Sequence, residues 1–133
     1  MTGTRPTDPI GRLIGDPVAT IRPTATLREA ADALVADGVG LLVVVDPSGV
    51  RGVLSERDVV RAIAEDLDLE TERVRDVSST DVLTVDEDTS IADAAREMTD
   101  AQIRHLAVSR KAVVTGVVSI RDVLAVYLDA DDA

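Results

Sequence analysis

The sequence has 133 residues, with 25 acidic against 14 basic side chains, a net charge of −11 at pH 7 and no cysteine. The missing thiols exclude disulfides, cysteine catalysis and zinc–thiolate sites, and the negative field repels the phosphate backbone of nucleic acids. No run of about 18 apolar residues is present, so we expect no membrane span. With no apolar signal region at the N-terminus, we expect a cytoplasmic protein.

The acidity is carried mostly by Asp, while Lys111 is the only lysine and Tyr127 the only aromatic residue. One interpretation is adaptation to a salt-rich cytoplasm, where a dense anionic surface stays hydrated and its self-repulsion is screened. The other is a GC-rich genome that favours Arg over Lys. In either case the core must be built from Val, Leu, Ile and Ala, and the chain lacks the aromatic platform on which single-stranded nucleic acids stack.

The first predicted elements are a strand and a helix. Residues 1–12 are polar and contain Pro and Gly, so we expect a flexible N-terminal arm. A short strand is predicted over residues 18–22. Thr26 and Glu29 have the spacing of a capping box, in which each side chain binds the other residue's backbone amide. The helix that follows should end at Gly38.

A hairpin and a second helix come next. The apolar run Leu41–Val45 predicts a buried strand, Asp46–Gly49 has turn chemistry, and Val50–Leu54 predicts the returning strand. A helix should start at Ser55. The charged stretch over residues 66–75 is expected to be a linker, with room for one helical turn.

The same order of elements then begins again. The predicted segments are a strand Val82–Val85, a helix opened by Ser90, hairpin strands Ile103–Val108 and Val113–Val118, and a helix Ser119–Leu128. Asp93 makes Ser90 part of a second, weaker capping box. Arg110–Ala112 is poor turn chemistry for a hairpin, and residues 129–133 are expected to be an acidic tail.

A repeated heptapeptide connects the two halves. Gly52-Val-Leu-Ser-Glu-Arg-Asp58 returns 64 positions later as Gly116-Val-Val-Ser-Ile-Arg-Asp122, and the offset holds without a gap across the apolar positions. One duplicated unit is therefore expected. The predicted fold is α/β (α+β), with two pseudo-symmetric β-α-β-β-α repeats, residues 13–70 and 71–133, packed sheet to sheet, since each alone is about the size that struggles to bury a core.

The Ser-x-x-Asp part of the heptapeptide has two interpretations. Ser55 and Ser119 stand where helix N-caps belong, and Asp58 and Asp122 stand where a capping box takes an acid. Alternatively, the free amides and positive dipole end of each helix attract phosphate, the carboxylate accepts hydrogen bonds from ribose hydroxyls, and the preceding Gly lets backbone approach a ligand. The spacing alone does not decide between them.

The sequence resembles a tandem pair of CBS domains, the Bateman module. The family pattern Gly, two apolar residues, Ser or Thr, two residues and Asp matches both Gly52–Asp58 and Gly116–Asp122. Val74–Val77 is similar to the segment that leads into a CBS repeat, with Ser78 where Met is common. Ile103–Val108 is similar to the second strand, although it has Ala in place of a frequent Pro. The likeness covers roughly residues 12–129.

This resemblance implies two adenosine sites, each with residues of both repeats. In the family the Asp holds the ribose hydroxyls, the Ser or Thr contacts ribose or phosphate, and apolar residues hold the adenine. One predicted site combines Ser55 and Asp58 with Thr84, Val85 and Ile103. The other combines Ser119 and Asp122 with Thr20, Ile21, Pro23 and Val39.

Charged residues should make the two sites differ. His105 is the only histidine, and a lone His at the start of an apolar strand is commonly structural. The resemblance instead implies that Arg104 and His105 lie near a phosphate. The corresponding residues of the first repeat, Gly40 and Leu41, offer no charge, so the Arg104 side suits a charged ligand tail better.

Arg57 and Arg121 lie inside the two motifs and are further candidates for the ligand site. The alternative for both is a solvated helix face. Asp and Glu are plentiful elsewhere, but no clustered metal-ligand spacing is present, and most of these carboxylates are expected to be surface charge.

The expected function is that of a stand-alone regulatory pair that binds AMP, ADP, ATP, NAD or S-adenosylmethionine, requires no cofactor and signals to an unidentified effector protein. Apolar faces on the terminal helices predict a homodimer. A first alternative is an interaction module without a ligand, in which both motifs are only helix caps. A second is a small enzyme with Asp58 or Asp122 as general base, against which the lack of a nucleophile or metal set argues.

Overall fold

The computed structural model describes residues 3–15 and 18–132, with side chains described as far as residue 129. The chain divides into two compact units. The first unit is residues 17–82. The second unit is residues 83–133 together with residues 1–16. The predicted repeat boundary at residue 70 therefore falls inside the first unit.

The first unit has three strands and three helices. Its elements are β1 (Ala19–Ile21), α1 (Leu27–Asp37), β2 (Leu41–Asp46), β3 (Gly49–Ser55), α2 (Glu56–Ala64) and α3 (Val74–Val77). The second unit repeats this order after an initial 3-10 helix. Its elements are the 3-10 helix Ile10–Leu13, β4 (Val82–Asp86), α4 (Ile91–Ala101), β5 (His105–Arg110), β6 (Val113–Ser119) and α5 (Ile120–Asp132).

Each unit has one three-stranded sheet, in the orders β1-β2-β3 and β4-β5-β6. In the first sheet β1 runs parallel to β2, and β2 and β3 form an antiparallel hairpin in which Leu41 pairs with Ser55. The second hairpin has the same pairing, with His105 opposite Ser119. Both hairpins have a register shift at the same place, after Val44 and after Val108. The predicted β-α-β-β-α duplication is confirmed.

Each sheet is covered by its own helices around one aliphatic core. The core of the first unit consists of Ala25, Leu27, Ala30, Leu34, Leu42, Val44, Leu54, Val59, Ala62 and Val74. That of the second consists of Ile10, Val85, Ile91, Ala94, Met98, Leu106, Val108, Val118, Val123 and Val126. Apart from Met98 in the second unit, both cores consist of the Val, Leu, Ile and Ala side chains expected from a sequence without Phe or Trp.

The helix ends follow local sequence rules. Thr26 Oγ1 accepts the amide of Glu29 at 3.1 Å, and Glu29 Oε1 accepts the amide of Thr26 at 3.0 Å, which confirms the predicted capping box. Gly38 ends α1 in the left-handed conformation. In α4 only half of the predicted box forms, because Ser90 Oγ accepts the amide of Asp93 at 3.0 Å without a bond in the other direction.

The N-terminal segment differs from the expected flexible arm over residues 1–12. Ile10 starts a 3-10 helix and its side chain is completely buried. Its amide donates to Thr89 O at 2.6 Å, and Asp8 O accepts the amide of Ile91 at 2.9 Å. This segment therefore belongs to the second unit. Residues 1 and 2 of the expected arm lie outside the described residues.

The second hairpin forms as predicted in spite of its turn sequence, whereas the predicted C-terminal tail does not form. Lys111 and Ala112 form the tight loop of the second hairpin with φ of 51° and 66°, so this poor turn sequence adopts left-handed backbone without Gly. The predicted acidic tail is wrong from residue 129 to residue 132, because α5 continues to Asp132. No helix within residues 3–15 and 18–132 has both the length and the apolar character needed to cross a bilayer.

Candidate functional site

The start of α2 holds the first Ser-x-x-Asp motif. Ser55 Oγ accepts the backbone amide of Asp58 at 3.1 Å, and Asp58 Oδ2 accepts the amide of Ser55 at 2.8 Å. The side chain of Asp58 is 18% exposed. Ser55 and Asp58 thus form a complete capping box at the junction of β3 and α2. The box uses Asp58 Oδ2, and the other carboxylate oxygen, Oδ1, lies outside it.

The start of α5 repeats this geometry. Asp122 Oδ2 accepts the amide of Ser119 at 2.9 Å, and Ser119 Oγ accepts the amide of Asp122 at 3.2 Å. Asp122 is exposed, whereas Asp58 is half-buried. Both motifs therefore form helix caps, as the first of the two interpretations predicts. A ligand at either one would have to use the remaining carboxylate oxygen.

These remaining oxygens have different surroundings. Arg61 Nη1 lies 3.5 Å from Asp58 Oδ1 in an exposed ion pair. Ala125 occupies the matching position of α5, 64 residues further on. Within the part of the chain that the structure describes, Asp122 Oδ1 has no hydrogen-bond or ion-pair partner.

The charge near the start of the middle strand differs between the two units, at β2 in the first and β5 in the second. In the first unit the amide of Glu56 donates to Gly40 O at 3.0 Å. A Cβ at Gly40 would lie 3.6 Å from the Glu56 carboxylate carbon, so a negative charge stands over this strand start. In the second unit the amide of Ile120 donates to Arg104 O at 2.9 Å, and Ile120 replaces the acid. The second strand start therefore suits an anion better than the first.

His105 opens β5 directly opposite Ser119. Its ring is half-buried, and Nδ1 is buried without a hydrogen-bond partner among the described residues. A buried unpaired ring nitrogen costs free energy unless a partner is supplied. His105 thus has an unused hydrogen-bonding atom beside one of the two Ser-x-x-Asp motifs.

The Thr and apolar residues predicted for the first site lie in the second unit at different depths. Thr84 is exposed on β4. Val85 is only 6% exposed and is part of the core. Ile103 is half-buried and packs against the same core. Val85 therefore offers a ligand little surface, whereas Thr84 and Ile103 offer more.

The residues predicted for the second site lie in the first unit along β1 and before β2. Thr20 is exposed, while Ile21, Pro23 and Val39 are half-buried. Thr20 and Ile21 line a cavity of about 320 Å³. Its other lining residues are Arg22, Ala25, Glu29 and Val45. The grouping of residues from both repeats into one site stays a prediction.

Arg57 and Arg121 are both exposed on the first turn of their helices. Neither has an ion pair among the described residues. Their assignment to a ligand site stays a prediction beside the solvated-face alternative. Within residues 3–15 and 18–132, no group of three His, Cys, Asp or Glu side chains is arranged to hold a metal ion.

Sequence reasoning missed why the motif glycines are needed. A Cβ on Gly52 would lie 2.5 Å from Ser79 O, and one on Gly116 would lie 2.5 Å from Ile14 Cγ2. The space beside each glycine is thus taken by the protein's own chain rather than kept for a ligand. The 64-residue offset carries part of this signal, because Ser78, whose Oγ would lie 3.5 Å from the same Cβ on Gly52, is equivalent to Ile14.

Comparison with known proteins identifies the repeats. Residues 10–65 and 74–129 both match the family model described as "CBS domain". The CBS domain-containing protein YhcV of Bacillus subtilis is 31% identical over 117 residues, which cover 87% of this chain and 83% of YhcV. An uncharacterised 17.7 kDa protein of Acidianus ambivalens is 36% identical over 115 residues, which cover 84% of this chain and 68% of the relative.

Two solved structures resemble this chain. A CBS domain protein from Pyrobaculum aerophilum, complexed with AMP, has a TM-score of 0.69 and 33% identity, and the match covers 94% of this chain and 99% of that protein. The cytosolic domain of the Mg²⁺ channel MgtE, in complex with ATP, has a TM-score of 0.66 and 29% identity. That match covers 90% of this chain and 48% of the other.

Proposed function

The chain belongs to the CBS domain family, and we propose that it is a regulatory protein that binds an adenine nucleotide. The observation that carries the proposal is the pair of helix starts at Ser55 and Ser119. Each presents a Ser hydroxyl and a carboxylate with one oxygen outside the cap. Two proteins of similar fold, at 33% and 29% identity, were solved with AMP and with ATP.

We assign the ribose to the outer carboxylate oxygens. Asp58 Oδ1 and Asp122 Oδ1 would each accept the ribose hydroxyls, with Ser55 and Ser119 beside them. Capping and ribose binding do not compete, because the cap uses Oδ2 in both motifs. The apolar and Thr side chains predicted above would hold the adenine, with Val85 the weakest member because it lies in the core.

We assign the phosphate group of the ligand to Arg104 and His105. The matching strand start of the first unit has Glu56 over Gly40 and would repel a phosphate. Buried Nδ1 of His105, which has no hydrogen-bond partner among the described residues, would gain one. The two predicted sites should therefore differ in affinity for charged ligands.

Signalling requires a partner surface, and we propose that the protein works as a homodimer. On α2, Val60 and Ile63 are 63% and 55% exposed, and on α5, Leu124 and Leu128 are both 55% exposed. Such apolar side chains on a helix surface are typical of association sites. Sedimentation should give a dimer, and Ile63→Asp or Leu124→Asp should weaken it; a wild-type monomer at working concentration contradicts the proposal.

The alternative function is an interaction module without a ligand. It is favoured by one observation, that both capping boxes are complete in the protein alone. In that case no adenine compound would stabilise the fold. As a nucleotide-responsive regulator, in contrast, the protein would work in the cytoplasm and pass a conformational change to an effector protein.

A thermal-shift titration with AMP, ADP, ATP, NAD and S-adenosylmethionine separates the two functions. A ligand at about 100 times its dissociation constant adds roughly 2.7 kcal/mol, which raises the melting temperature by several degrees for a chain of this size. As a control, Thr26→Ala removes a helix cap outside the proposed sites and should leave the ligand-induced shift unchanged. If no compound shifts the melt of a folded sample, the interaction module is the better account.

The acidity leads to a separate proposal, that the protein is adapted to high salt. Screening of its self-repulsion should then make it more stable as KCl rises. A protein that is fully folded in dilute buffer, with no gain on adding KCl, supports the GC-rich genome instead.

A further inference from the structure

A groove of about 800 Å³ lies in the first unit at the hairpin end of its sheet. It is lined by the residues after β1, by the β2–β3 hairpin and by the segment from α3 to the start of β4. The motif residue Ser55 is at the other end of β3, four residues after Arg51, or about 13 Å along the strand. The groove is therefore separate from the Ser-x-x-Asp motif of the same unit.

The lining of this groove is basic in an acidic protein. Residues 17–82 contain 13 acidic residues and seven arginines. Three arginines, Arg22, Arg51 and Arg75, line the groove, against the single carboxylate of Asp46. This reverses the charge balance of the unit, so the groove attracts anions where the surrounding surface repels them.

The three guanidinium groups are held in different ways. Arg51 Nε lies 3.3 Å from Asp46 Oδ2, which orients its planar fork. Arg22 lines this groove and also the cavity of about 320 Å³ that Glu29 lines. The backbone amide of Arg75 donates to Pro23 O at 3.0 Å, which fixes α3 against the β1 end, and the Arg75 side chain has no ion pair among the described residues.

The lining also supplies hydroxyl groups and an apolar wall. Thr24, Ser78 and Thr80 contribute hydroxyls. Val44, Val50 and Val82 contribute apolar surface. Arginine forks and hydroxyls are the groups that bind phosphate oxygens, and several converging forks favour an anion with more than one charge.

The second unit provides an internal comparison. At the positions that match Arg22, Arg51 and Arg75 it has Asp86, Thr115 and Gly11. The match of Arg75 with Gly11 is structural as well, because the amide of Gly11 donates to Glu87 O as that of Arg75 does to Pro23 O. The shared fold therefore does not require these arginines.

We propose that this groove binds a small anion with at least two phosphate groups, at a site that contains neither Ser-x-x-Asp motif and shares only Pro23 with the second predicted nucleotide site. Arg75 and Arg22 would contact the outer phosphate oxygens, and Arg51, held by Asp46, would supply the third fork.

The test is calorimetric titration of the full chain with inorganic pyrophosphate at low ionic strength. Wild type should bind one pyrophosphate, and orthophosphate should bind more weakly. Arg75→Gln should weaken pyrophosphate binding about tenfold or more, as expected for the loss of a charged hydrogen-bond donor. Arg22→Asp, which installs the residue of the second unit, should abolish it.

Two control variants keep the outcomes distinct. Arg28→Gln removes an exposed arginine that pairs with Asp32 and Glu70 outside the groove, and should leave pyrophosphate binding unchanged. Asp58→Ala and Asp122→Ala, taken together as the second control, test the two proposed nucleotide sites and should also leave it unchanged. The proposal is overturned if wild type binds no pyrophosphate at millimolar concentration, if Arg75→Gln binds like wild type, or if either Asp variant abolishes binding.

Discussion

Arg61 Nη1 lies 3.5 Å from Asp58 Oδ1, while the other oxygen of the same carboxylate caps α2. Among the described residues the equivalent Asp122 has the cap without an ion pair, since Ala125 stands where Arg61 would be. The two copies of the motif are thus alike in the bonds that hold the helix and different in the oxygen open to a ligand.

At Asp58 the cap should contribute more to the free energy of unfolding than the ion pair with Arg61 does. The Arg61 side chain is 61% exposed, and exposed pairs contribute about 0–1 kcal/mol. Arg61→Ala should therefore change the free energy of unfolding by less than about 0.5 kcal/mol, whereas Asp58→Ala should cost about 1 kcal/mol. Urea unfolding measures both, and an equal loss from the two variants would show that the ion pair matters more than its exposure indicates.

The two motif glycines should respond differently to an added methyl group. In Gly52→Ala the new Cβ meets the backbone oxygen of Ser79 at 2.5 Å, so backbone must move. In Gly116→Ala it meets Ile14 Cγ2 at 2.5 Å, so a side chain rather than backbone has to shift first. We expect Gly52→Ala to cost about 1–3 kcal/mol in unfolding free energy, and Gly116→Ala to cost less. Thermal denaturation of both variants checks the order, and the reverse order contradicts this explanation.

Ile10 should be essential although it lies in the segment expected to be a flexible arm. Its side chain is fully buried in the core of the second unit. Ile10→Ala should lower the free energy of unfolding by about 2–5 kcal/mol, because it leaves a cavity. Val35→Ala is the control, since Val35 is 83% exposed. Similar melting temperatures for the two variants would mean that the segment is not docked in solution.

The capping box of α1 should make stability depend on pH. The pKa of Glu29 lies below its usual value of 4.5, chiefly because its carboxylate accepts the backbone amide and hydroxyl of Thr26. A lowered folded-state pKa gives stability that is present above the usual value and is lost as pH falls through the folded-state value. The stability difference between wild type and Glu29→Gln should therefore shrink as pH drops below 4.5. Denaturant unfolding across pH measures it, and a constant difference contradicts the lowered pKa.

Local rules made much of this fold predictable from the sequence. The boxes at Thr26 and Ser55 and the stop at Gly38 depend on neighbouring residues, so sequence spacing indicates them. The 64-residue repeat then carried these predictions into the second unit. The loop at Lys111 and Ala112 lacked the usual Gly or Asn, yet the hairpin register imposed left-handed backbone on it.

Non-local contacts set the limit of prediction. Ile10 is buried in a core whose other members run from Val85 to Val126, so its polar neighbours in sequence indicated an arm instead of a core segment. The offset itself held the missing signal, because Ile10 stands 64 residues before Val74, which is also completely buried. The basic groove could not be predicted from the sequence for the same reason, since Arg22, Arg51 and Arg75 come from three separate segments.

The most direct test of the nucleotide-sensor proposal is calorimetric titration of the folded wild type with AMP, beside Asp58→Ala, Asp122→Ala and the cap control Thr26→Ala. We expect wild type and Thr26→Ala to bind AMP alike, and at least one Asp variant to bind it about tenfold or more weakly. If folded wild type binds no AMP, or if both Asp variants bind it as wild type does, the two motifs are helix caps and the nucleotide-sensor account is wrong.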